Sequence, residues 1–123
     1  MDEVNFVSSS IPSFQFGITV DPVRINSLKQ FGTPGEIAAR VVTAEVNRDG
    51  VFDVTLLKDP IETADGGLQL EYLSSGKRGD KHFVAKFYIQ NQKLYVLTAQ
   101  IKQEFYDPNK NELLKSVESF RLS

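Results

Sequence analysis

His82 is the single histidine of this 123-residue sequence, and its imidazole offers the widest chemistry of any side chain in the chain. A neutral imidazole binds transition metals, and the ring changes charge close to neutral pH. A metal site, however, needs ligands that converge from several residues. Because His82 stands beside Lys81 at the start of a predicted strand, its spacing favours a partly exposed residue without a ligand.

The serines Ser8, Ser9 and Ser10 are the next candidates, as nucleophiles. A serine nucleophile needs a base within hydrogen-bond reach, and the sequence contains no Gly-x-Ser-x-Gly motif. These serines are therefore predicted to belong to a polar tail.

A glycine-containing run at residues 75–79, Ser-Gly-Lys-Arg-Gly, resembles a phosphate-binding loop only superficially. Such a loop has a glycine five residues before its second glycine, and Ser or Thr after its lysine. Glu71 and Arg78 occupy those two positions, so the sequence does not predict a phosphate site.

Four cations in this region are candidates for a small basic patch: Lys77, Arg78, Lys81 and Lys86. Two interpretations stay open, a solvated hairpin loop and a docking surface for a partner. The acids Asp49, Asp53, Asp65 and Asp107 do not follow the calcium-loop spacing of an EF-hand, and their predicted roles are turn formation and helix capping. Since no catalytic signature emerges, we predict that the protein is not an enzyme.

Length and composition set broad limits. A chain of 123 residues with 41% hydrophobic and 24% charged residues is typical of one globular domain. The net charge of −2 does not indicate nucleic-acid binding. Cysteine is absent, which excludes disulfides and thiol chemistry.

The element that must position these side chains is a long hairpin at residues 81–101. Apolar residues alternate with period two along both halves, and Asn91 suits the positive φ of the connecting turn. Both faces of the hairpin carry apolar residues, whereas a sheet with one wet face would alternate more cleanly. We therefore expect helices on both faces.

The remaining elements follow from local signals. Thr33, Pro34 and Glu36 form a capping-box pattern, which predicts a helix from there to about Val46. Asp107 and Pro108 repeat the cap-plus-proline signal and predict a second helix over residues 108–119. Strands are predicted at residues 14–23, 51–63, 68–75, 81–90 and 93–101, with a short helical turn or loop at 25–31. Pro60 is expected to interrupt the strand at 51–63. This order favours an α+β domain with an antiparallel sheet.

Several short motifs, in this order and spacing, are similar to the PsbP family of thylakoid-lumen proteins over about residues 14–122. They are Ile18-Thr19-Val20-Asp21-Pro22, Phe31-Gly32-Thr33-Pro34, Lys81-His82, Lys93-Leu94-Tyr95, Ala99-Gln100 and the closing Ser119-Phe120-Arg121-Leu122. The resemblance implies an α-β-α sandwich with a central antiparallel sheet. It also implies a non-enzymatic, peripheral protein of the chloroplast thylakoid lumen that binds or helps to assemble a photosynthetic complex. The type member is an extrinsic subunit of the oxygen-evolving complex of photosystem II, where it helps to retain calcium and chloride.

Two further expectations come with the resemblance. In the type member, the histidine matching His82 pairs with a carboxylate on the following strand to bind a metal. Gln103 holds that position here and Glu104 lies beside it, so we expect only weak binding of a divalent ion such as calcium, manganese or zinc. The family's first hairpin is expected to be missing, with residues 1–13 flexible or at an edge and residues 14–123 forming one shortened domain.

The exposed sheet edge of such a shortened domain predicts a homodimer through residues 4–7 and the strand 14–20. Two other classes of function stay open. One is a protein-binding module of the same sandwich fold outside the thylakoid, like the Ran-binding relatives of nuclear import. The other is a small-ligand or hydrolytic domain.

Overall fold

This computed structural model describes residues 2–7, 13–63 and 66–119. Ser8, Ser9, Ser10 and the closing motif beyond Ser119 lie outside the described residues. Within them the chain forms seven strands and three helices. The strands are β1 (Asp2–Val7), β2 (Gln15–Pro22), β3 (Val51–Leu56), β4 (Ile61–Glu62), β5 (Leu68–Gly76), β6 (Gly79–Gln90) and β7 (Lys93–Lys102); the helices are α1 (Leu28–Phe31), α2 (Pro34–Val46) and α3 (Gln103–Glu118). No helix among the described residues is long and apolar enough to span a bilayer.

The strands form one antiparallel sheet in the order β1-β2-β7-β6-β5-β3, with β4 also paired to β5. The predicted hairpin is β6 and β7 at the centre of this sheet. Its turn residues Asn91 and Gln92 have φ values of 53° and 57°, so the positive φ expected at Asn91 is confirmed. Residues 82–88 of β6 are all buried, because successive side chains point to the two faces of the sheet and both faces are covered.

Helices cover both faces of the sheet, as the two apolar faces of the hairpin predicted. Helix α2 lies over β3 and β5 on one face, and α3 lies over β6 and β7 on the other. The core under α3 comprises Phe14, Val84, Leu97, Ala99, Ile101, Tyr106, Leu113 and Val117. The core under α2 comprises Ile37, Ala38, Leu68, Leu70, Tyr72, Phe83, Ala85 and Phe87. The α-β-α sandwich is therefore confirmed.

The capping box at the start of α2 is present in full. The Thr33 hydroxyl accepts from the Glu36 backbone N–H at 3.2 Å, and the Glu36 carboxylate accepts from the Thr33 N–H at 3.0 Å. These two bonds satisfy donors that a helix start otherwise leaves open. The hydrogen bonds from Thr33 also lower the pKa of the Glu36 carboxyl below its ordinary value.

Helix α3 begins at Gln103, five residues before the predicted start, and contains Pro108 in its second turn. The predicted second helix is therefore present, but the start that Asp107 and Pro108 indicated was wrong. A proline inside a helix removes one backbone hydrogen bond, but here the extra first turn buries Tyr106 against the sheet. Tertiary packing of that turn thus outweighs the local cap signal.

One edge of the sheet differs from the prediction, and the other follows it. Strand β1 pairs with β2 from Asp2–Val20 to Val7–Gln15, so the expectation that the strand 14–20 is left without an outer neighbour is wrong. At the other edge, the strand predicted at residues 51–63 with an interruption at Pro60 divides into β3 and β4. The register of β3 shifts between Val51 and Asp53, and the side chain of Phe52, the residue between them, is 70% exposed.

Candidate functional site

His82 is buried rather than partly exposed, and both of its ring nitrogens contact other side chains. Its relative exposure is 3%, because it lies on the face of β6 that α3 covers. Nε2 lies 2.8 Å from Glu71 Oε2, and Nδ1 lies 3.1 Å from Gln103 Oε1. The expectation of an exposed residue at the start of a strand is therefore wrong.

Glu71 is the carboxylate partner of His82, and the sheet register brings the two together. His82 pairs with Leu73 across β5 and β6, so Glu71 is its diagonal neighbour on the same face, within reach of a long side chain. Both carboxylate oxygens of Glu71 have partners. Oε2 also accepts from the Tyr106 hydroxyl at 3.4 Å, and Oε1 lies 3.6 Å from Lys58 Nζ at the surface.

Tyr106 closes the cluster from the helix side. Its ring is stacked on the His82 ring, with the centroids 3.5 Å apart and the planes inclined by 6°. Burial, reinforced by the nearby negative charge of Glu71, raises the pKa of the Tyr106 phenol to about 12. The phenol therefore stays a hydrogen-bond donor across the physiological range.

The metal donor set implied by the family resemblance does not fit this arrangement. Gln103 presents an amide instead of a carboxylate and contacts His82 directly. Glu104 follows it in the first turn of α3 and is exposed, whereas His82 is buried. Among residues 13–63 and 66–119, no three or more His, Cys, Asp or Glu side chains are grouped so as to hold a metal ion. The cluster satisfies its polar atoms with its own side chains instead.

The structure divides the four predicted basic residues between two environments. Lys77 and Arg78 form the exposed two-residue turn between β5 and β6, and Lys81 is half-buried nearby. Lys86 is separate, because it lies an odd number of residues from Lys81 and so points to the opposite face of β6. It is 4% exposed, and its Nζ donates to the Val117 carbonyl oxygen at 3.5 Å near the end of α3. Lys77, Arg78 and Lys81 can therefore share one surface, and Lys86 cannot belong to it.

A second buried carboxylate lies on the α2 face. Glu45 accepts from the Ser74 hydroxyl at 3.1 Å and from Arg48 at 3.2 Å. Burial, with a contribution from the charge of Glu45, raises the pKa of Tyr72.

The sequence signal for the buried carboxylate of Glu45 was its position in the apolar stripe of α2. The corresponding signal for Glu71 was its place in a strand between Leu70 and Tyr72.

The α2 face carries several concavities away from the His82 cluster, among them one cavity and one groove. A mainly apolar cavity of about 340 Å³ lies between α1, the start of α2 and the β4–β5 connection, with Leu28, Ile37 and Leu68 in its wall. A groove of about 410 Å³ runs beside α2 over β7 and β2, where Val96 and Thr98 form part of its floor. The groove exists because α2 covers only the β3 and β5 side of this face.

Comparisons with known proteins agree with this architecture. The PsbP family model matches residues 2–122. The chain is 32% identical over 100 residues to "PsbP domain-containing protein 2, chloroplastic" of Arabidopsis thaliana, a match that covers 78% of this chain and 40% of that protein. The chain therefore spans less than half the length of this curated relative.

Two solved structures have the same fold. Cyanobacterial PsbP (CyanoP) from Synechocystis sp. PCC 6803 superposes with a TM-score of 0.74 at 14% identity, over 98% of this chain and 82% of that one. The protein of unknown function PA94 from Pseudomonas aeruginosa superposes with a TM-score of 0.69 at 14% identity, over 99% of this chain and 83% of that one.

Proposed function

This chain belongs to the PsbP family, and we propose that it is an extrinsic protein of the thylakoid lumen. In this role it binds, stabilises or helps to assemble photosystem II or another photosynthetic membrane complex. The observation that carries the proposal is the family match across residues 2–122, supported by a chloroplastic relative at 32% identity.

A non-enzymatic role is part of the proposal. Proteins of this family are generally non-catalytic. The titratable side chains that come together in this chain also bind one another: His82 bonds to Glu71 and Gln103, and Glu45 bonds to Ser74 and Arg48. A catalytic base or nucleophile is instead directed at a site where substrate can bind, so these clusters support a role in holding the fold together.

We propose the tip of the sheet as the surface that contacts the membrane complex. The exposed turn Lys77-Arg78 lies next to the start of β3, since the Lys77 N–H donates to the Gly50 carbonyl at 2.8 Å. Phe52 follows at this edge and is the most exposed large apolar side chain of residues 13–63 and 66–119. Exposed aromatic and arginine side chains are enriched at protein interfaces. Asp49 and Asp80 also lie at this tip, so its charge is patterned rather than uniformly positive.

The experiment is rebinding of the purified chain to salt-washed thylakoid membranes. We expect saturable binding that high salt reverses, as for a peripheral protein. The double variant Lys77→Glu/Arg78→Glu should bind severalfold more weakly, because exposed ion pairs contribute about 0.2–1 kcal/mol each. The matched control is Lys110→Glu/Lys115→Glu, which makes the same charge change on exposed residues of α3.

Two outcomes would contradict the proposal. If the chain binds protein-free vesicles of thylakoid lipids as well as it binds the membranes, its partner is not a membrane complex. If both double variants lose binding equally, the tip is not the contact surface. A calcium-related role is proposed only through the family, and calcium dependence of rebinding tests it.

A second candidate function is a protein-binding module of the same fold outside the thylakoid. The similarity to the Pseudomonas protein favours keeping this candidate, since that structure has the same fold in a bacterium. Localisation of a tagged chain separates the two: protection from added protease in intact thylakoids supports the lumen, and a nuclear or cytosolic signal supports the alternative.

A further inference from the structure

His82 faces an acceptor oxygen at each of its ring nitrogens, namely Glu71 Oε2 at 2.8 Å and Gln103 Oε1 at 3.1 Å. A neutral imidazole carries a single N–H and can donate from one nitrogen only. Two arrangements satisfy the geometry. Either the ring donates from both nitrogens, or the Gln103 amide is turned so that its NH₂ group donates to Nδ1. In each of them, both ring nitrogens are engaged by side chains of this chain.

We infer that His82 clamps the first turn of α3 to the sheet and is not a metal ligand, in contrast to the histidine of the type member. Gln103 and Tyr106 are three residues apart and therefore share one face of α3. Gln103 bonds to the His82 ring, the Tyr106 ring stacks on it, and the Tyr106 hydroxyl bonds to Glu71. The first turn of α3 is thus attached to β6 and β5 by three contacts.

The clamp matters because α3 has little else to hold its start. The residue before the helix, Lys102, makes no side-chain capping bond. Pro108 removes the backbone bond that the Glu104 carbonyl would otherwise accept. The first turn would therefore fray easily without its contacts to His82 and Glu71.

A metal ion would have to displace this clamp. A histidine ligand offers the metal a ring nitrogen without a proton, so one nitrogen would have to release either Glu71 or Gln103. A released Glu71 carboxylate would then be buried without that partner, which is costly. The Gln103 amide is exposed and would lose only one hydrogen bond. Glu104, the other predicted ligand, is exposed on α3.

Amide hydrogen exchange measured by NMR tests the clamp. The first four N–H groups of a helix have no partner within it, and Pro108 has no N–H. The first bonded amide of α3 is that of Tyr106, because Lys102 is the N-cap residue. Asp107 and Asn109 are the next two, and they report opening of the helix start. We expect Gln103→Leu to speed their exchange about fivefold, which corresponds to the roughly 1 kcal/mol of one hydrogen bond. The amides of Ser116 and Val117, at the other end of α3, should be unchanged.

The matched control is Glu104→Leu, the same replacement at the next, exposed residue. In high salt, which screens the interaction of the Glu104 charge with the helix dipole, it should leave exchange at Asp107 and Asn109 unchanged. Gln103 is itself exposed, so its variant should fold. If Gln103→Leu speeds exchange equally along all of α3, or not at all, the clamp is wrong.

Metal binding at His82 is tested by titrating the unmodified chain with zinc and with manganese. The readouts are the heat of binding by calorimetry and the NMR resonances of the His82 ring. We expect no saturable heat and no change of the ring resonances at micromolar metal. Sub-micromolar affinity with a specific shift or broadening of those resonances would overturn the inference. Because this readout uses the wild-type ring, it does not depend on whether a His82 variant folds.

Discussion

Removing the Glu71 side chain should cost more stability than any exposed substitution in the chain. Glu71 is 8% exposed, and its Oε2 atom bonds to His82 at 2.8 Å and accepts from Tyr106 at 3.4 Å. In Glu71→Leu both partners stay buried without an acceptor. A hydrogen bond to a charged group contributes about 1.5–3 kcal/mol, and an unsatisfied buried group costs about 1–3 kcal/mol. We therefore expect the free energy of unfolding to fall by roughly 3–5 kcal/mol.

Glu71→Gln separates the loss of charge from the loss of the acceptor. The amide keeps the shape and one acceptor oxygen, so the expected loss is about 1.5–3 kcal/mol. The contact of Lys58 with Glu71 Oε1, at 3.6 Å, contributes little because the Lys58 side chain is 60% exposed. Lys58→Met is therefore the matched control, with an expected loss below about 1 kcal/mol.

The assay is urea unfolding followed by circular dichroism, with the midpoint and the slope fitted for each variant. A second readout is the titration of Tyr106, seen in the ultraviolet absorbance of the phenolate. The charge of Glu71 helps to raise the Tyr106 pKa, so Glu71→Gln should lower it toward the ordinary value. A Glu71→Leu variant as stable as the wild type would refute the view that this cluster holds α3 to the sheet, as would an unchanged Tyr106 titration in Glu71→Gln.

Three further predictions concern the capping box, the alkaline limit of stability and self-association. Thr33→Ala should lower the free energy of unfolding by about 1 kcal/mol in denaturant melts at neutral pH. Because hydrogen bonds from Thr33 lower the pKa of Glu36 in the fold, the contribution of this carboxylate is present above pH 4.5 and is lost as the pH falls through the folded value. The difference between the two proteins should therefore shrink in acid, while the bond from the Glu36 N–H to the Thr33 hydroxyl does not depend on pH. The Tyr106 pKa is raised from 10.0 to about 12. The stability that the neutral phenol contributes is therefore complete below pH 10 and is lost as the pH rises toward 12. Tyr106→Phe should make the free energy of unfolding fall less steeply across this range, as measured in denaturant melts. The homodimer stays a prediction, and its interface is now the β1 edge because β2 lies inside the sheet. Sedimentation should show a dimer at micromolar concentration, and Asn5→Pro should convert it to a monomer. A monomeric wild type would contradict the prediction.

The local elements of this fold could be predicted from the sequence because their causes lie within a few residues. The capping box joins Thr33 to Glu36, three positions apart, and α2 ends at Val46 as predicted. The turn at Asn91 and the alternation along β6 and β7 are equally local. Apolar residues on both sides of these strands required helices on both faces, since each face must be covered by something apolar.

The candidate site was decided by tertiary structure because its members are brought together over long distances in sequence. His82 and Glu71 meet through the register of β5 on β6, and Gln103 and Tyr106 join them only after α3 docks. Docking of α3 also moved its start to Gln103, against the local signal of Pro108. A sequence pattern can show that a polar residue such as Glu71 lies in a buried strand and needs a partner, but only the packed sheet and helix determine which side chain that partner is.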